Sequence, residues 1–217
     1  MYSPRTAAQN LLLVIAQKKR KAHLQPLMGH IAAALSAHDV AAREAAAAGR
    51  PVPADVARRM DGALLAIGTC AETLKSKAPY RDQIEAMLTQ FVVPCFDSGH
   101  GHLRAKACWV AKEFADFEHF SGGEGCAGRG PQFCGLFECV MRALGDPDLP
   151  VRVDAVVAVR SFVDELADLD ILKPMLPALL DSIFGLMAQI DNEDLVFTLE
   201  GIVEKFGGDI APYAASL

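Results

Sequence analysis

An internal repeat of about 45 residues constrains the fold of this chain more than any other feature. Four small or apolar residues recur at steps of 44, 48 and 44 residues, and further apolar residues follow each of them four and seven positions later. This spacing places the three residues of each set on one face of a helix. The sets are Ala63/Ile67/Cys70, Ala107/Ala111/Phe114, Ala155/Val159/Phe162 and Leu199/Val203/Phe206.

A second apolar-periodic stretch precedes each of these helices. Gly, Pro, Asp and Asn separate the stretches, and such residues end or begin helices. The sequence therefore predicts a unit of helix, turn and helix, preceded by one additional helix at 6–17. The first helices fall at 24–37, 80–96, 131–146 and 170–190, and the second at about 57–76, 102–117, 150–168 and 193–207.

The period of the unit predicts an all-α fold, an α-α superhelix of the HEAT or armadillo type. We expect a single solenoid segment over 1–217, with the second helix of each pair on the concave side. The repeats are predicted at about 22–76, 80–117, 131–168 and 170–207. Two segments break the period and are interpreted as insertions between helices: the Ala-rich 39–55 and the Gly-rich 118–131.

Charge is distributed unevenly along the chain. Residues 1–50 carry seven Lys and Arg against two acids, whereas residues 145–217 carry four against fourteen. The net charge of −6 argues against direct binding of nucleic acid. The acidic end is typical of a surface for basic proteins, although acids at helix starts also act as caps. The candidate binding residues are Asp164, Glu165, Asp168, Asp170, Asp191, Glu193 and Asp194.

The sequence predicts no catalytic centre, cofactor or membrane span. No Ser/His/Asp set, HExxH motif or paired carboxylates occur, and no apolar run reaches the ~20 residues that span a bilayer. The N-terminus does not resemble a secretory signal, so we expect an intracellular protein with reduced cysteines. Zinc at Cys95, His100 and His102, or at the cysteines of 126–139, is an alternative with non-standard spacing. A phosphate-binding site in the Gly-rich segment is a weaker alternative, because the segment lacks the GxxxxGK(S/T) motif.

Three residues of the second helices invite a functional interpretation and also have a structural one. Trp109 is predicted to pack at a seam between helices. Arg104 and Arg152 occupy equivalent positions, where they could contact a partner or bridge neighbouring repeats through acids such as Asp97 and Asp148. We expect the bridge.

Several strings resemble, in the same order, the middle of nuclear transport receptors of the importin-beta superfamily, in its importin seven/eight branch. The resemblance covers nearly the whole chain, and it departs from the family at 39–55 and 118–131. The strings are PRTAAQNLL (4–12), MGHI (28–31), RMDGALLAIGTCAETL (59–74), YRDQIEAMLTQFVVPCF (80–96), HGHLRAKACWV (100–110), LPVRVDAVVAV (149–159) and NEDLVFTLEGIVEKF (192–206).

The resemblance implies a nuclear import receptor that shuttles between cytoplasm and nucleus and is not an enzyme. Its implied partners are the GTPase Ran, phenylalanine-glycine nucleoporins and basic cargo such as ribosomal proteins or histones. A HEAT-repeat scaffold, such as a phosphatase regulatory subunit, is the alternative, and a HEAT-like DNA glycosylase is a weaker one.

A segment cut from a solenoid lacks polar capping repeats, so its terminal helices expose apolar faces. If the chain is a central segment of such a receptor, as the resemblance implies, we expect partial exposure of Leu11, Leu12, Leu13 and Ile15 at one end. Ile202 and Phe206 are expected to be partly exposed at the other end.

Overall fold

A computed structural model describes residues 3–18, 20–120 and 129–210 of the chain. In these residues the regular structure consists of helices and helical turns, without a β-strand. The predicted all-α fold of helical hairpins is thereby confirmed. The chain divides into two compact units, unit 1 (Met1–Phe114) and unit 2 (Ala115–Leu217), which are described separately.

The core of unit 1 is formed by one long helix and two shorter helices that pack in sequence. Helix α2 packs against α3, and α3 packs against α6. The helices are α1 (Pro4–Lys18), α2 (Arg20–Ala47), α3 (Ala54–Thr69), α4 (Ala71–Lys75), α5 (Ile84–Met87) and α6 (Gly101–Glu113).

The segment 39–55 differs from its expected form as an insertion. Helix α2 includes the first nine residues of this segment and ends at Ala47, because alanine has the highest helix propensity of all residues. Gly49 then adopts a left-handed conformation with φ of 61°. The N–H of Gly49 donates to Ala46 O at 3.2 Å and that of Arg50 to Ala45 O at 3.0 Å. These two bonds form a Schellman motif, which ends the helix.

The stretch predicted as one helix at 80–96 is a series of short helical turns. A 3₁₀ turn at Arg81–Gln83, α5, a wider π-type turn at Leu88–Val92 and a second 3₁₀ turn at Val93–Asp97 follow one another. Pro94 lies in the last turn and has no N–H to donate, so the regular α-helical ladder cannot pass through it.

Unit 2 contains four α-helices in its described part, with an aromatic cluster in its core. The rings of Phe133 and Phe162 lie 5.0 Å apart, and Phe137 stacks on Phe162 at 5.2 Å. Phe120 lies edge-on to Phe133. The helices are α7 (Pro131–Ala143), α8 (Leu149–Glu165), α9 (Leu176–Met187) and α10 (Glu193–Ile210), with a 3₁₀ turn at Asp170–Met175 before α9.

The four sets of three recurring residues mostly lie at buried positions. All residues of the sets that begin with Ala63, Ala107 and Ala155 are buried. The set that begins with Leu199 differs, since Leu199 is half-buried and Val203 is 38% exposed. The division into four repeats stays a prediction, and most of the segment 118–131 lies outside the described residues.

Arg104 and Arg152 perform the same task in the two units. Arg104 Nη1 donates to Ser98 O at 2.8 Å, and Arg152 Nη1 donates to Asp146 O at 2.9 Å. Each arginine thus reaches back six residues to a carbonyl of the turn before its own helix. The equivalence expected from the repeat is present. These bonds hold the turn before each helix, and the bridge between repeats stays a prediction.

The expected exposure of terminal apolar residues is correct at one end only. Leu11 is 61% exposed, and the other three residues predicted on α1 are at least partly accessible. Ile202 and Phe206 are buried, so their predicted exposure is wrong. The exposed apolar residues of α10 are instead Val196, Phe197 and Val203, because the helix turns its other face towards α8 and α9.

Candidate functional site

Four of the seven predicted acidic residues lie at and after the end of α8, and most of them already have a partner. Asp164 accepts an ion pair from Lys205 Nζ at 2.8 Å, and Glu165 pairs with Arg129 Nη1 at 3.3 Å. Asp168 Oδ1 accepts a hydrogen bond from the backbone of Asp170, at 2.9 Å. The Asp170 carboxylate pairs with Lys173, also at 2.9 Å.

The other three acidic residues lie at the start of α10. Asp191, Glu193 and Asp194 are exposed, and within the described part of the chain no cation pairs with them. Asn192 provides the helix-start hydrogen bond, since its Oδ1 accepts from Asp194 N at 2.8 Å. These three carboxylates therefore remain accessible to a partner.

The seven acidic residues do not form one continuous patch. Lys205 pairs with Asp164 and lies 12 residues after Glu193 on α10. Twelve helical residues correspond to roughly 18 Å at 1.5 Å per residue. The structure thus separates an internally paired group (Asp164, Glu165, Asp168, Asp170) from an unpaired group (Asp191, Glu193, Asp194).

No sequence pattern indicates the two cations that reach the first group from distant positions, Arg129 and Lys205. Besides pairing with Glu165, Arg129 donates to the carbonyls of Ala115 and Phe117, both at 3.2 Å, and lies over the ring of Phe133. Lys205 also donates to Val163 O, at 3.0 Å, near the end of α8. The Arg129–Glu165 and Lys205–Val163 contacts join residues 36 or more positions apart, so no local pattern could have indicated them.

The cysteine and histidine residues of the zinc alternative make other contacts. Cys95 is buried, its thiol donates to Phe91 O at 3.2 Å, and burial raises its pKa to about 12. His100 precedes α6, and its Nε2 lies 2.8 Å from Val52 O. Among the described residues no group of three potential metal ligands occurs. Cys134 is disulfide-bonded, which differs from the expectation that every cysteine is reduced.

Trp109 packs at a helix–helix seam, as predicted. Its six-membered ring lies against Gly68, the last glycine of α3, and a Cβ atom at Gly68 would approach Trp109 Cη2 to 2.6 Å. Lys106 is buried beside it, with its Nζ 4.8 Å from the ring centroid and 4.0 Å from Asp61 Oδ1. The tryptophan therefore joins α3 to α6.

An apolar pocket of about 340 Å³ lies between α2 and the helical turns of 80–91. Its size is at the lower end of the range for ligand pockets, roughly 300–1,000 Å³. No local sequence pattern indicates this pocket, because its two walls are more than forty residues apart in the chain. Its main apolar lining residues are Ile31, Leu35, Tyr80, Ile84, Met87 and Phe91.

The helical hairpins and the equivalent arginine contacts define a helical-repeat protein of the HEAT or armadillo type. In the described residues no helix is long and apolar enough to cross a membrane. No protein-family model and no solved structure matches the sequence.

Curated relatives identify the family. The chain is 41% identical over its whole length to the Importin beta-like SAD2 homolog of Arabidopsis thaliana, of which it covers 19%. It is 32% identical over 96% of its length to the Probable importin-7 homolog of Dictyostelium discoideum, covering 18% of that protein. Importin-8 of Danio rerio is 27% identical over 99% of the chain, which covers 19% of the relative. The chain belongs to the importin-beta superfamily and spans about a fifth of the length of these relatives.

Proposed function

We propose that the chain acts as a segment of a nuclear import receptor that binds protein cargo, Ran and phenylalanine-glycine nucleoporins without catalysing a reaction. Membership of the superfamily supports the transport role and the shuttling between cytoplasm and nucleus that it requires. The observation that carries the nucleoporin part is the apolar pocket beside α2.

The pocket fits the side chain that nucleoporin repeats present. A phenylalanine ring gains about 1.5–3 kcal/mol when it is fully buried, and it has no polar atom that needs a partner. Most of the pocket wall consists of aliphatic, aromatic and methionine side chains, and methionine adapts its shape to a ligand. Two exposed alanines, Ala32 and Ala86, lie at its edge and leave it open.

Blocking this edge tests the nucleoporin part. The variant with Ala32→Glu and Ala86→Glu should lose about tenfold or more in affinity for a phenylalanine-glycine peptide, measured by fluorescence anisotropy, because charge and bulk oppose burial of the ring. Ala8→Glu with Ala54→Glu, which places the same two charges at exposed alanines outside the pocket, should bind like the parent chain. Unchanged affinity of the double variant would remove the pocket from the proposal.

We propose further that basic cargo contacts the unpaired acidic group at the start of α10. Asp191→Lys with Glu193→Lys should weaken binding of a histone or ribosomal protein and reduce the salt dependence of binding, since charges exposed to solvent are screened over about 8 Å at physiological salt. Asp181→Lys with Glu138→Lys, at exposed positions of α9 and α7, makes the same change in net charge and is the control. Equal affinity of both variants would indicate that the acids serve solubility.

Ran binding requires its own experiment. A pull-down from cell extract by the 217-residue chain, with and without GTP-locked Ran, should retain Ran and release cargo when Ran is added. Retention of a phosphatase catalytic subunit, with no response to Ran, would favour the scaffold alternative.

A further inference from the structure

A second cavity, of about 280 Å³, extends the apolar pocket along α2. Gln90 and Phe91 line both cavities, so the two adjoin along α2, and together they are called the groove below. The second cavity lies between the C-terminal part of α2, the turn at 48–53 and the residues 94–99. Its lining includes His38, Asp39, Arg50 and Asp97, whereas no Asp, Glu, Lys, Arg or His lines the first cavity.

The charged groups of the second cavity are only partly compensated within the protein. Asp39 is held by Arg43 through two hydrogen bonds, one of them 3.2 Å long, and Asp97 already interacts with other groups of the protein. The Arg50 side chain is exposed and has no hydrogen-bond or ion-pair partner among the described residues. His38 is 91% buried, and its Nε2 has no partner there either. The cavity therefore contains one cation without a partner, Arg50, whereas both of its acidic side chains already interact with other groups.

The backbone that carries Arg50 is fixed at the edge of the cavity. The Schellman motif uses the Arg50 N–H itself, and Gly49 supplies the left-handed conformation that reverses the chain. Two residues later, Val52 O bonds the His100 ring at the start of α6. An arginine whose backbone is held in this way loses less conformational entropy when it binds a ligand.

The two cavities are spaced for an extended peptide. The α2 residues that line them centre near Ala32 and Ala42, which are ten residues apart, or roughly 15 Å along the helix. An extended chain covers about 3.3 Å per residue, so about four or five residues connect the two cavities.

We propose that this groove binds an extended peptide with an aromatic side chain in the first cavity and an anionic side chain against Arg50, about four or five residues away. The anion is a carboxylate or a phosphate, both of which a guanidinium binds through paired hydrogen bonds. The inference rests on the proposed function, because the aromatic side chain occupies the pocket assigned to nucleoporin repeats.

Labelled peptides test the anionic subsite on the full chain. Three peptides share one phenylalanine and carry glutamate, phosphoserine or glutamine five residues from it. The two anionic peptides should bind about two- to fivefold more tightly than the glutamine peptide, as expected for an exposed ion pair. Arg50→Gln should abolish this preference and leave the affinity for the glutamine peptide unchanged. Arg58→Gln removes the same charge from an exposed position outside both cavities and should retain the preference.

The outcomes separate the two proposals. A preference for phosphoserine alone identifies phosphate as the anion, and equal preference identifies a carboxylate as sufficient. Binding of all three peptides with equal affinity, or a preference that survives Arg50→Gln, would overturn the anionic subsite alone. Failure of every phenylalanine peptide to bind would overturn it together with the nucleoporin pocket. Circular dichroism of Arg50→Gln establishes that the fold is retained.

Discussion

The two units build their helix contacts with different side chains. In unit 1 the buried residues include nine alanines, and the large ring of Trp109 fits because Gly68 has no side chain. In unit 2 the helix contacts include a cluster of phenylalanines, with Phe133 and Phe162 fully buried. Small residues allow close helix approach, whereas aromatic residues bring more apolar area to a contact. The two units therefore differ in the side chains that dominate their cores.

The units also differ in charge. Unit 1 carries 15 Lys and Arg against 9 acids, and unit 2 carries 6 against 18. The apolar groove with its unpaired arginine lies in the positive unit, and the unpaired acidic group lies in the negative one. Since opposite potentials attract different partners, the charge difference agrees with our proposals of an anionic peptide on unit 1 and basic cargo on unit 2.

The largest expected effect comes from truncating the aromatic core of unit 2. Phe162→Ala should destabilise the unit by about 3–5 kcal/mol, because the cavity removes contacts with both Phe133 and Phe137. Amide hydrogen exchange should accelerate in α8 much more than in α3. Equal acceleration in both helices would contradict independent cores and show that the units unfold together.

The matching change in unit 1 adds an atom instead of removing several. Gly68→Ala should destabilise by about 1–3 kcal/mol, since the new methyl group collides with the Trp109 ring. Urea unfolding followed by fluorescence of Trp109, the single tryptophan of the chain, measures the effect in this unit. Gly62→Ala, on the same helix with open space around it, should stabilise by about 0.5–1 kcal/mol. The prediction fails if both variants shift the midpoint in the same direction.

A smaller effect is expected at the turn that carries Arg50. Gly49→Ala should destabilise by about 1 kcal/mol, because an L-residue with a side chain pays for the left-handed conformation at φ of 61°. Gly29→Ala lies within α2 and should instead stabilise the same helix. Thermal unfolding by circular dichroism distinguishes the two. A stable Gly49→Ala variant would show that the turn relaxes without cost.

The smallest effect is a pH dependence confined to unit 1. Burial lowers the pKa of His38 below 6.5, the nearby charge of Asp39 opposes this shift, and His100 adds to it. The unfolded chain then binds a proton that the folded chain resists, so stability should fall as the pH decreases below about 6.5. Urea midpoints at several pH values measure this. His38→Gln should flatten the profile, whereas His30→Gln, at an exposed position of α2, should leave it unchanged. A profile that persists in His38→Gln would assign the effect to another group.

Much of the fold follows from local patterns that the sequence displays. Apolar spacing of four and seven residues predicted the buried faces of α3, α6 and α8, because side chains at these intervals share one side of a helix. Turn residues predicted most of the boundaries. The pattern failed in part at α10, where Phe206 is buried but Val203, of the same set, is exposed, because the apolar stripe is wider than the face that α8 and α9 cover. Periodicity identifies a stripe, but neighbouring helices decide which part of it is buried.

The candidate sites depended on the tertiary structure to a greater extent. Composition alone located the acidic residues and the opposite charges of the two ends. Only the folded chain placed Lys205 beside Asp164 and Arg129 beside Glu165, and thereby separated paired acids from unpaired ones. The groove is likewise a product of tertiary structure, since α2 and the turns of 80–97 are far apart in sequence. Sequence by itself determined most of the helices, because hydrogen bonding and side-chain spacing within a helix are local; the extension of α2 to Ala47 and the broken helix of 80–97 are the exceptions. Which charges remain free, and where a ligand can enter, depends on contacts between distant residues that no local pattern encodes.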